Sequence, residues 1–426
     1  MRPRSIRALV VGLFAVGAIT TSVAPTTVQA DPFVARDASV ITTWNEITQR
    51  TLAENAVPVP SSGLYYALPA LAVYDAVVAI EGRYEPWAEQ PRAQAHASSQ
   101  VAAATAAYNV LKHLFPASTA ALTSDYEAAL AAVPNGVGKV HGIRVGEATA
   151  AELISRRAGD GRGADVPQPG GAPLEPGEWR PTPPAFAPML VPWLGFVTPL
   201  LLPSQTAIPL AGPPALDSAL YAEELAEVRD FGGTVSMRSA EQTATALFWN
   251  ANVVSQYHVA MRDQVTDRGL DIVDSARAFA MMDSTLADTA ISCWRAKYDF
   301  NFWRPITAIA LADTDGNDAT QVVPGWTPLV PTPPYPEYTS GHACVTGAVT
   351  GTLNNLFGTQ LSPAFDVPSL AATPDRQYTS TAALDSETMN ARIWLGIHFR
   401  TAMTDANALG HAVASFAADN YFQPTG

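Results

Sequence analysis

The sequence carries little positive charge. It has 25 lysines and arginines against 39 aspartates and glutamates, which gives a formal net charge of −14. Such a chain is repelled by phosphate backbones and by anionic lipid surfaces, which argues against nucleic acid or anionic membranes as general partners. A group of cations that comes together in so acidic a chain therefore requires an explanation.

Long apolar runs are also scarce. After residue 30 no uninterrupted run reaches the roughly 20 residues of a membrane-spanning helix. The nearest approach, 186–203, is interrupted by prolines. The first 30 residues place a basic start, an apolar stretch at 8–19 and a small-residue end in the order of a secretory signal. We therefore expect an exported protein, with a mature chain that starts near Asp31 and has no membrane span.

Alternating strand patterns and repeats of fixed period are absent. Apolar residues instead recur at helical spacing, and two proline-rich stretches, 161–214 and 324–336, interrupt them. We predict an all-α protein in two parts, an N-terminal helical region (31–235) and a C-terminal helical bundle (236–426). The helices expected after the first proline-rich stretch are 217–230, 239–261, 272–298, 340–356, 386–400 and 404–421. We expect the stretch 161–214 to pack on the body through four aromatic residues: Trp179, Phe186, Trp193 and Phe196.

The chain contains only two cysteines, Cys293 and Cys344. Disulfides persist outside the cell, so an even pair in an exported protein can be bridged. The alternative is two buried free thiols, and the sequence leaves both open. Both cysteines lie within segments that carry candidate functional residues.

The first of these segments runs from Lys297 to Arg304-Pro305. If one helix continues through it, the seven-residue step places Lys297 and Arg304 on one face, about 10.5 Å apart along the axis. An arginine fork and a lysine point charge directed at one place suit an oxyanion. The alternative is a pair of solvated surface cations whose stems lie along aromatic rings.

The second segment is Ser340-Gly341-His342, directly after a proline-rich loop. A helix that begins here presents unpaired backbone N–H groups and the positive end of its dipole to an anion. Ser340 adds a hydroxyl, Gly341 allows close backbone approach, and His342 exchanges a proton near neutral pH. A plain serine cap followed by an incidental histidine is the alternative.

The third segment runs from Arg392 to His398. A six-residue step on a regular helix separates two side chains by about 120°. Arg392 and His398 therefore converge only if an anion lies between them or if the helix is irregular near Gly396. The alternative for His398, which stands between Ile397 and Phe399, is a hydrogen-bonded core histidine.

In order, Lys-x6-Arg-Pro, Ser-Gly-His and Arg-x5-His resemble the motifs of the superfamily of vanadium-dependent haloperoxidases and type 2 phosphatidic acid phosphatases. Stretches 179–184, 294–305, 331–337 and 396–400 look like its soluble, secreted bacterial branch. The resemblance covers nearly all of the chain after the expected signal. It implies a helical bundle with an oxyanion site at one end of the C-terminal part.

The resemblance also implies a role for each motif residue. His398 would bond to vanadium or phosphorus, His342 would donate or accept a proton, and Trp294 with Tyr335 would form an aromatic wall of the substrate pocket. The oxygens of vanadate, or of phosphate as a competing ligand, would be bound by the polar motif residues: Lys297, Arg304, Ser340, the Gly341 N–H and Arg392.

Three positions depart from the superfamily pattern. Thr339 replaces the usual proline before Ser-Gly-His, and Ala391 replaces the usual serine before the last arginine; neither needs to touch the anion. Ala402 stands where the superfamily often has an acid, whose carboxylate would orient the imidazole of His398. Asp405, a backbone carbonyl or water would then take that role.

One oxyanion site supports two chemistries. A haloperoxidase would use hydrogen peroxide and vanadate to oxidise a halide to hypohalous acid, with an organic acceptor as a further substrate. A secreted acid phosphatase would hydrolyse phosphomonoesters through a phosphohistidine at His398. The lack of a membrane span, the large N-terminal part and the pair Trp294–Tyr335 favour the haloperoxidase. A non-catalytic exported protein that binds oxyanions is the third interpretation.

Overall fold

The computed structural model describes residues 32–88, 93–94, 96–170, 173–370 and 373–425. The expected secretory segment, 1–30, lies outside them. The described residues form 13 α-helices and one two-stranded sheet. The helices are α1 (Pro32–Glu54), α2 (Val59–Glu81), α3 (Ser99–Leu114), α4 (Thr119–Ala131), α5 (Val137–Arg156), α6 (Ala219–Gly232), α7 (Ala240–Phe248), α8 (Val253–Asp267), α9 (Ile272–Phe300), α10 (Pro305–Ala310), α11 (Gly341–Phe357), α12 (Thr381–Trp394) and α13 (Arg400–Asn420).

The predicted all-α fold is confirmed, apart from one small hairpin. In it β1 (Gln360–Val367) pairs antiparallel with β2 (Arg376–Ser380), although the sequence showed no strand there. A register shift between Gln360 and Phe365 breaks the regular alternation of buried and exposed residues along β1. The periodic signal that predicts a strand is therefore weak.

Helix α9 forms the centre of the molecule. The carboxylate of Asp271 caps its start by accepting two backbone N–H bonds. Most of its 29 residues are buried, and it packs against α2, α11 and α13. It ends where Asn301 adopts a left-handed conformation, with a φ of 45°. No single helix therefore runs through Lys297 and Arg304: Lys297 lies in the last turn of α9, and Arg304 immediately precedes α10.

The hydrophobic core is continuous between the two parts of the chain, since α2 packs directly on α9. The boundary drawn between 235 and 236 stays a prediction. Just after it, the helix expected at 239–261 is two helices, because the chain leaves the helical conformation between α7 and α8 and Asn252 caps a new start.

Glycines bring α11 and α13 into close contact. A Cβ at Gly347 would lie 2.2 Å from the backbone oxygen of Asn407, and one at Gly410 would lie 2.4 Å from the nitrogen of Ala348. Both distances are shorter than van der Waals contact, so a side chain at either glycine would force the helices apart. This packing holds the first turns of α11 against α13.

The proline-rich stretch 161–214 packs on the helical body, as expected. The carboxylate of Asp288, buried on α9, accepts hydrogen bonds of 2.6–2.8 Å from the backbone N–H groups of residues 200–202. Trp179 is buried, and Trp193 and Phe196 are half-buried. The expectation for Phe186 is wrong: the residue comes directly after a turn at 183–185, and it is 63% exposed.

One helix of the described residues, α2, is long and apolar enough to cross a membrane by length and composition alone. The sequence had pointed to 186–203 as the nearest candidate, and that stretch is largely irregular. In α2, 78% of the most apolar window is buried inside the protein. Burial of this extent is typical of the core helix of a folded protein.

Candidate oxyanion site

Four helix ends meet at one end of the C-terminal bundle. Lys297 lies in the last turn of α9, Ser340 precedes the first residue of α11, Arg392 lies in the last turn of α12, and His398 lies just before α13. Arg304 reaches the same place, with its Nη1 3.3 Å from Nε2 of His398. The structure therefore brings together the residues of all three sequence motifs.

Two arginines are held so that part of each guanidinium group remains available. Arg304 donates from Nε to the carbonyl of Tyr335 at 2.8 Å and from Nη1 to that of Ile397 at 2.7 Å. Arg392 donates from Nη1 to the carbonyl of Trp249 at 2.8 Å. Arg304 Nη2 and Arg392 Nε are buried and have no partner among the described residues.

The hydroxyl of Ser340 is a third such group. Ser340 occupies the cap position of α11, but its side chain makes no capping bond. Its Oγ is buried without a partner in the described part of the chain, while its N–H donates to the carbonyl of Ala402 at 3.0 Å. The plain serine cap is therefore excluded. An unpaired buried donor costs about 1–3 kcal/mol, so three of them at one place indicate a ligand with several acceptor oxygens.

Lys297 ties α9 to the loop before Ser340. Its ammonium group donates to the carbonyls of Pro336 at 2.9 Å and Glu337 at 3.1 Å, and also to that of Thr339. Burial lowers the pKa of Lys297 to about 8. Lys297 and Arg304 are both 0% exposed, so the alternative of two solvated surface cations is excluded.

The site has an excess of positive charge. Lys297, Arg304 and Arg392 are all at most 2% exposed, and among the described residues Glu337 is the carboxyl group that acts on both Lys297 and Arg304. Buried charges without a partner are strongly unfavourable. The cations therefore fit an anionic ligand, in a chain whose net charge is otherwise negative.

The imidazole of His398 has a defined tautomer. Arg304 can only donate, so the Nε2 atom that faces it is the acceptor. The ring proton then lies on Nδ1 and is donated to Oε1 of Glu337 at 2.8 Å. Burial, together with the charges of Arg304 and Lys297, lowers the pKa of His398 well below its ordinary value. The ring is therefore neutral, and its Nε2 lone pair is directed into the cationic site.

Glu337 provides the carboxylate that the sequence did not locate. Its Oε1 also accepts a hydrogen bond from the Phe399 N–H at 3.0 Å, and burial raises its pKa to about 8. The expectation that Asp405 orients His398 is wrong, because Asp405 accepts a hydrogen bond from Tyr338 at 2.6 Å instead. Sequence reasoning missed Glu337 because it precedes His398 by 61 residues; its position at the end of the matching stretch 331–337 was the one available signal.

The turn after α12 explains how Arg392 and His398 converge. The helix expected at 386–400 starts at Thr381 and ends at Trp394. Gly396 then has a φ of 78°, which reverses the chain direction, and a Cβ there would lie 2.4 Å from a backbone oxygen. The sequence allowed either an anion between the two residues or an irregular helix near Gly396, and the structure has the irregularity.

A cavity of about 210 Å³ adjoins the site. Trp294 and Tyr335 both line it, with ring centroids 5.1 Å apart, and the Trp294 Nε1–H donates to the carbonyl of Leu190 at 3.2 Å. Much of the remaining wall is aliphatic and includes seven valines and prolines: Val59, Pro60, Val253, Val254, Pro333, Pro334 and Val345. The predicted aromatic wall is therefore present in the structure.

His342 lies in the first turn of α11 and lines the cavity. Its Nε2 is 3.4 Å from the carbonyl of Ala251, and burial and the charge of Arg392 lower its pKa well below the ordinary value. A Cβ at the neighbouring Gly341 would lie 3.3 Å from the ring of Trp294. Glycine therefore allows the backbone of α11 to approach this wall closely.

Cys293 and Cys344 are both free and buried. Of the two alternatives that the sequence left open, the structure has the pair of thiols. Cys293 lies on α9 and Cys344 on α11, and both line the same cavity.

The fold and the site together define an all-α protein with three buried donors, unpartnered among the described residues, near a neutral histidine. A family model described as the second helical-bundle domain of VCPO matches residues 277–425. The vanadium chloroperoxidase of Curvularia inaequalis is 30% identical over a segment that covers 33% of this chain and 28% of that protein. The chain thus matches less than a third of the length of this curated relative.

Solved structures extend the similarity to most of the chain. The first bacterial vanadium-dependent iodoperoxidase has a TM-score of 0.77 and 25% identity, covering 92% of this chain and 98% of that one. An apo-type bacterial vanadium-dependent chloroperoxidase has a TM-score of 0.66 and 14% identity, covering 85% of this chain and 92% of that one. A similarity at this identity shows the shared fold alone. The family model, the curated relative and the solved structures together support the superfamily that the sequence motifs resemble.

Proposed function

We propose that this protein is a vanadate-dependent haloperoxidase that oxidises a halide with hydrogen peroxide, with vanadate bonded to Nε2 of His398. The observation that carries the proposal is the set of three buried donors without partners, Arg304 Nη2, Arg392 Nε and Ser340 Oγ, around a neutral imidazole. A tetrahedral oxyanion would satisfy these donors and offset the buried positive charge.

Bound vanadate would supply a Lewis acid that activates hydrogen peroxide toward attack by a halide. The protein's own residues would do the rest. Arg304, Arg392 and Ser340 would bind the oxygens, Lys297 and the Gly341 N–H would add positive potential, and Glu337 would orient the imidazole of His398. His342 has a lowered pKa, so it would be neutral near pH 7 and able to accept a proton from hydrogen peroxide.

The apolar cavity favours the haloperoxidase over the acid phosphatase. Its wall presents the rings of Trp294 and Tyr335 and several aliphatic side chains, and such surroundings suit a weakly hydrated halide and an organic acceptor. We propose that these small molecules are its substrates. The relatives at 30% and 25% identity are a chloroperoxidase and an iodoperoxidase, so each halide has to be tested.

The test compares two activities of the same purified protein, with and without vanadate. Protein loaded with orthovanadate is assayed for oxidation of iodide, bromide and chloride with hydrogen peroxide, and vanadate-free protein is assayed for phosphomonoester hydrolysis. We expect halide oxidation that is lost in His398→Ala. Hydrolysis without halide oxidation would identify an acid phosphatase, and tight phosphate binding with neither activity would identify a non-catalytic binding protein.

We also propose that the protein is exported and loses the segment 1–30. Its basic, apolar and small-residue regions support this proposal. The N-terminal residue of the protein recovered from the culture medium tests it, and a start near Asp31 is expected. Retention of the intact chain inside the cell would contradict it.

A further inference from the structure

The two cysteines are arranged as a reactive pair. Both side chains are 0% exposed to solvent, and both line the 210 Å³ cavity beside His342. Both sulfur atoms lie close to one hydroxyl oxygen, Oγ1 of Thr339, at 3.2 and 3.6 Å. Because Cys293 lies on α9 and Cys344 on α11, a bond between the two sulfur atoms would link the two helices that carry Lys297 and Gly341.

Thr339 organises this pair. Its hydroxyl donates to Sγ of Cys293 at 3.2 Å and lies 3.6 Å from Sγ of Cys344. Thr339 stands where the superfamily usually has a proline. The hydroxyl therefore belongs to the same local arrangement as the two cysteines, whereas proline has no donor that could contact either sulfur.

We propose that Cys293 and Cys344 form a peroxide-reactive dithiol in the wall of the cavity, which closes to a disulfide when hydrogen peroxide enters. The inference rests on the proposed function for the supply of hydrogen peroxide. In the first step the sulfur of Cys293 takes one oxygen from hydrogen peroxide, the O–O bond breaks, and the products are a sulfenic acid and water. In the second step the thiol of Cys344 attacks that sulfur, a second water leaves, and the disulfide forms.

The surroundings assign different roles to the two thiols. Burial by itself would raise the pKa of Cys293, but the contact with Cys344 and the ammonium group of Lys297 lower it to about 7. Burial and the neighbouring Cys293 raise the pKa of Cys344 well above its ordinary value. Thiolates react with peroxides and thiols do not, so Cys293 reacts first and Cys344 resolves the sulfenic acid.

The chain has no other cysteine, so counting free thiols reports directly on this pair. Reduced, vanadate-free protein is treated with hydrogen peroxide, then unfolded, alkylated and weighed by mass spectrometry. We expect the number of alkylated thiols to fall from two to none. The loss should be about tenfold faster in the folded chain than in the urea-unfolded chain, because a larger fraction of Cys293 is thiolate in the folded chain. Reducing agent restores both thiols.

Three variants separate the steps. In Cys344→Ser the reaction should stop at a sulfenic acid that dimedone traps, and Cys293→Ser should react no faster than the unfolded chain. Thr339→Val keeps the backbone but removes the hydroxyl, and we expect slower closure. Folding of each variant is checked by circular dichroism.

The inference is overturned if both thiols in folded wild-type protein remain alkylatable after peroxide, if the only disulfides formed join two chains, or if the bond forms equally fast in the unfolded chain. Failure of the proposed function is a separate result, because thiol closure is measured without vanadate or halide. Halide oxidation with unreacted thiols would remove this inference alone, and thiol closure without halide oxidation would remove the haloperoxidase alone.

Discussion

Replacing Glu337 is the most direct test of how the site holds its histidine. In Glu337→Leu, the Nδ1–H of His398 and the Phe399 N–H lose the oxygen that accepts both of them, at 2.8 and 3.0 Å. Loss of a group that orients a metal-binding histidine typically weakens binding about 10- to 100-fold, which corresponds to about 1.4–2.7 kcal/mol. Glu337→Gln keeps an acceptor oxygen for both N–H groups, so we expect a loss of about tenfold or less.

The assay is calorimetric titration of phosphate and of vanadate into each purified variant, with thermal unfolding as a check on folding. Asp405→Asn is the matched control, because Asp405 was the carboxylate favoured by the sequence but pairs with Tyr338 in the structure. We expect wild-type oxyanion affinity in Asp405→Asn. Weaker binding in Asp405→Asn and unchanged binding in Glu337→Leu would refute the assignment.

Three further predictions concern the packing and charge of the fold. Gly410→Ala places a Cβ 2.4 Å from a backbone atom of α11. In urea titrations it should lower the free energy of unfolding by about 1–3 kcal/mol. Gly136→Ala is the control and should have little effect, because there is open space around Gly136. Asp288→Ala leaves three buried backbone N–H groups of the proline-rich stretch without an acceptor and should lower the free energy of unfolding by about 3 kcal/mol. The exposed Asp299 on the same helix serves as the control, and an equal loss in Asp299→Ala would contradict the argument. Because the pKa of Lys297 is lowered to about 8 and an anion favours its protonated form, phosphate affinity should fall by up to about tenfold per pH unit as the pH rises above about 8. Calorimetry of Lys297→Met should show a weaker dependence, because Glu337, whose pKa is raised to about 8, still titrates in that range.

Several features of the site were predictable because they depend on local chemistry. The pattern Ser340-Gly341-His342 after a proline-rich loop predicts a helix start, and α11 begins at Gly341. The six-residue spacing of Arg392 and His398 predicts either an anion between them or an irregularity near Gly396, and the chain turns there with a φ of 78°. Both inferences need only the geometry of a helix and the conformational freedom of glycine.

Other features were not predictable, since they depend on contacts between distant segments. The end of α9 at Asn301 separates Lys297 from Arg304, although their spacing suited one helix. The partner of His398 could have been any nearby acid, and sequence proximity favoured Asp405 over Glu337. The hairpin at 360–380 was missed because its register shift removes the alternation that marks a strand.

By itself the sequence determined the all-α class, the three motifs and the kind of ligand they suit, because helical periodicity and the chemistry of lysine, arginine, serine and histidine are properties of short segments. Only the tertiary structure decided which donors remain unpaired around His398, which carboxylate orients its ring, and that Cys293 and Cys344 meet beside Thr339. The physical reason is that hydrogen-bond partners and burial are settled by side chains from different helices packing together, and no local pattern records which helices those are.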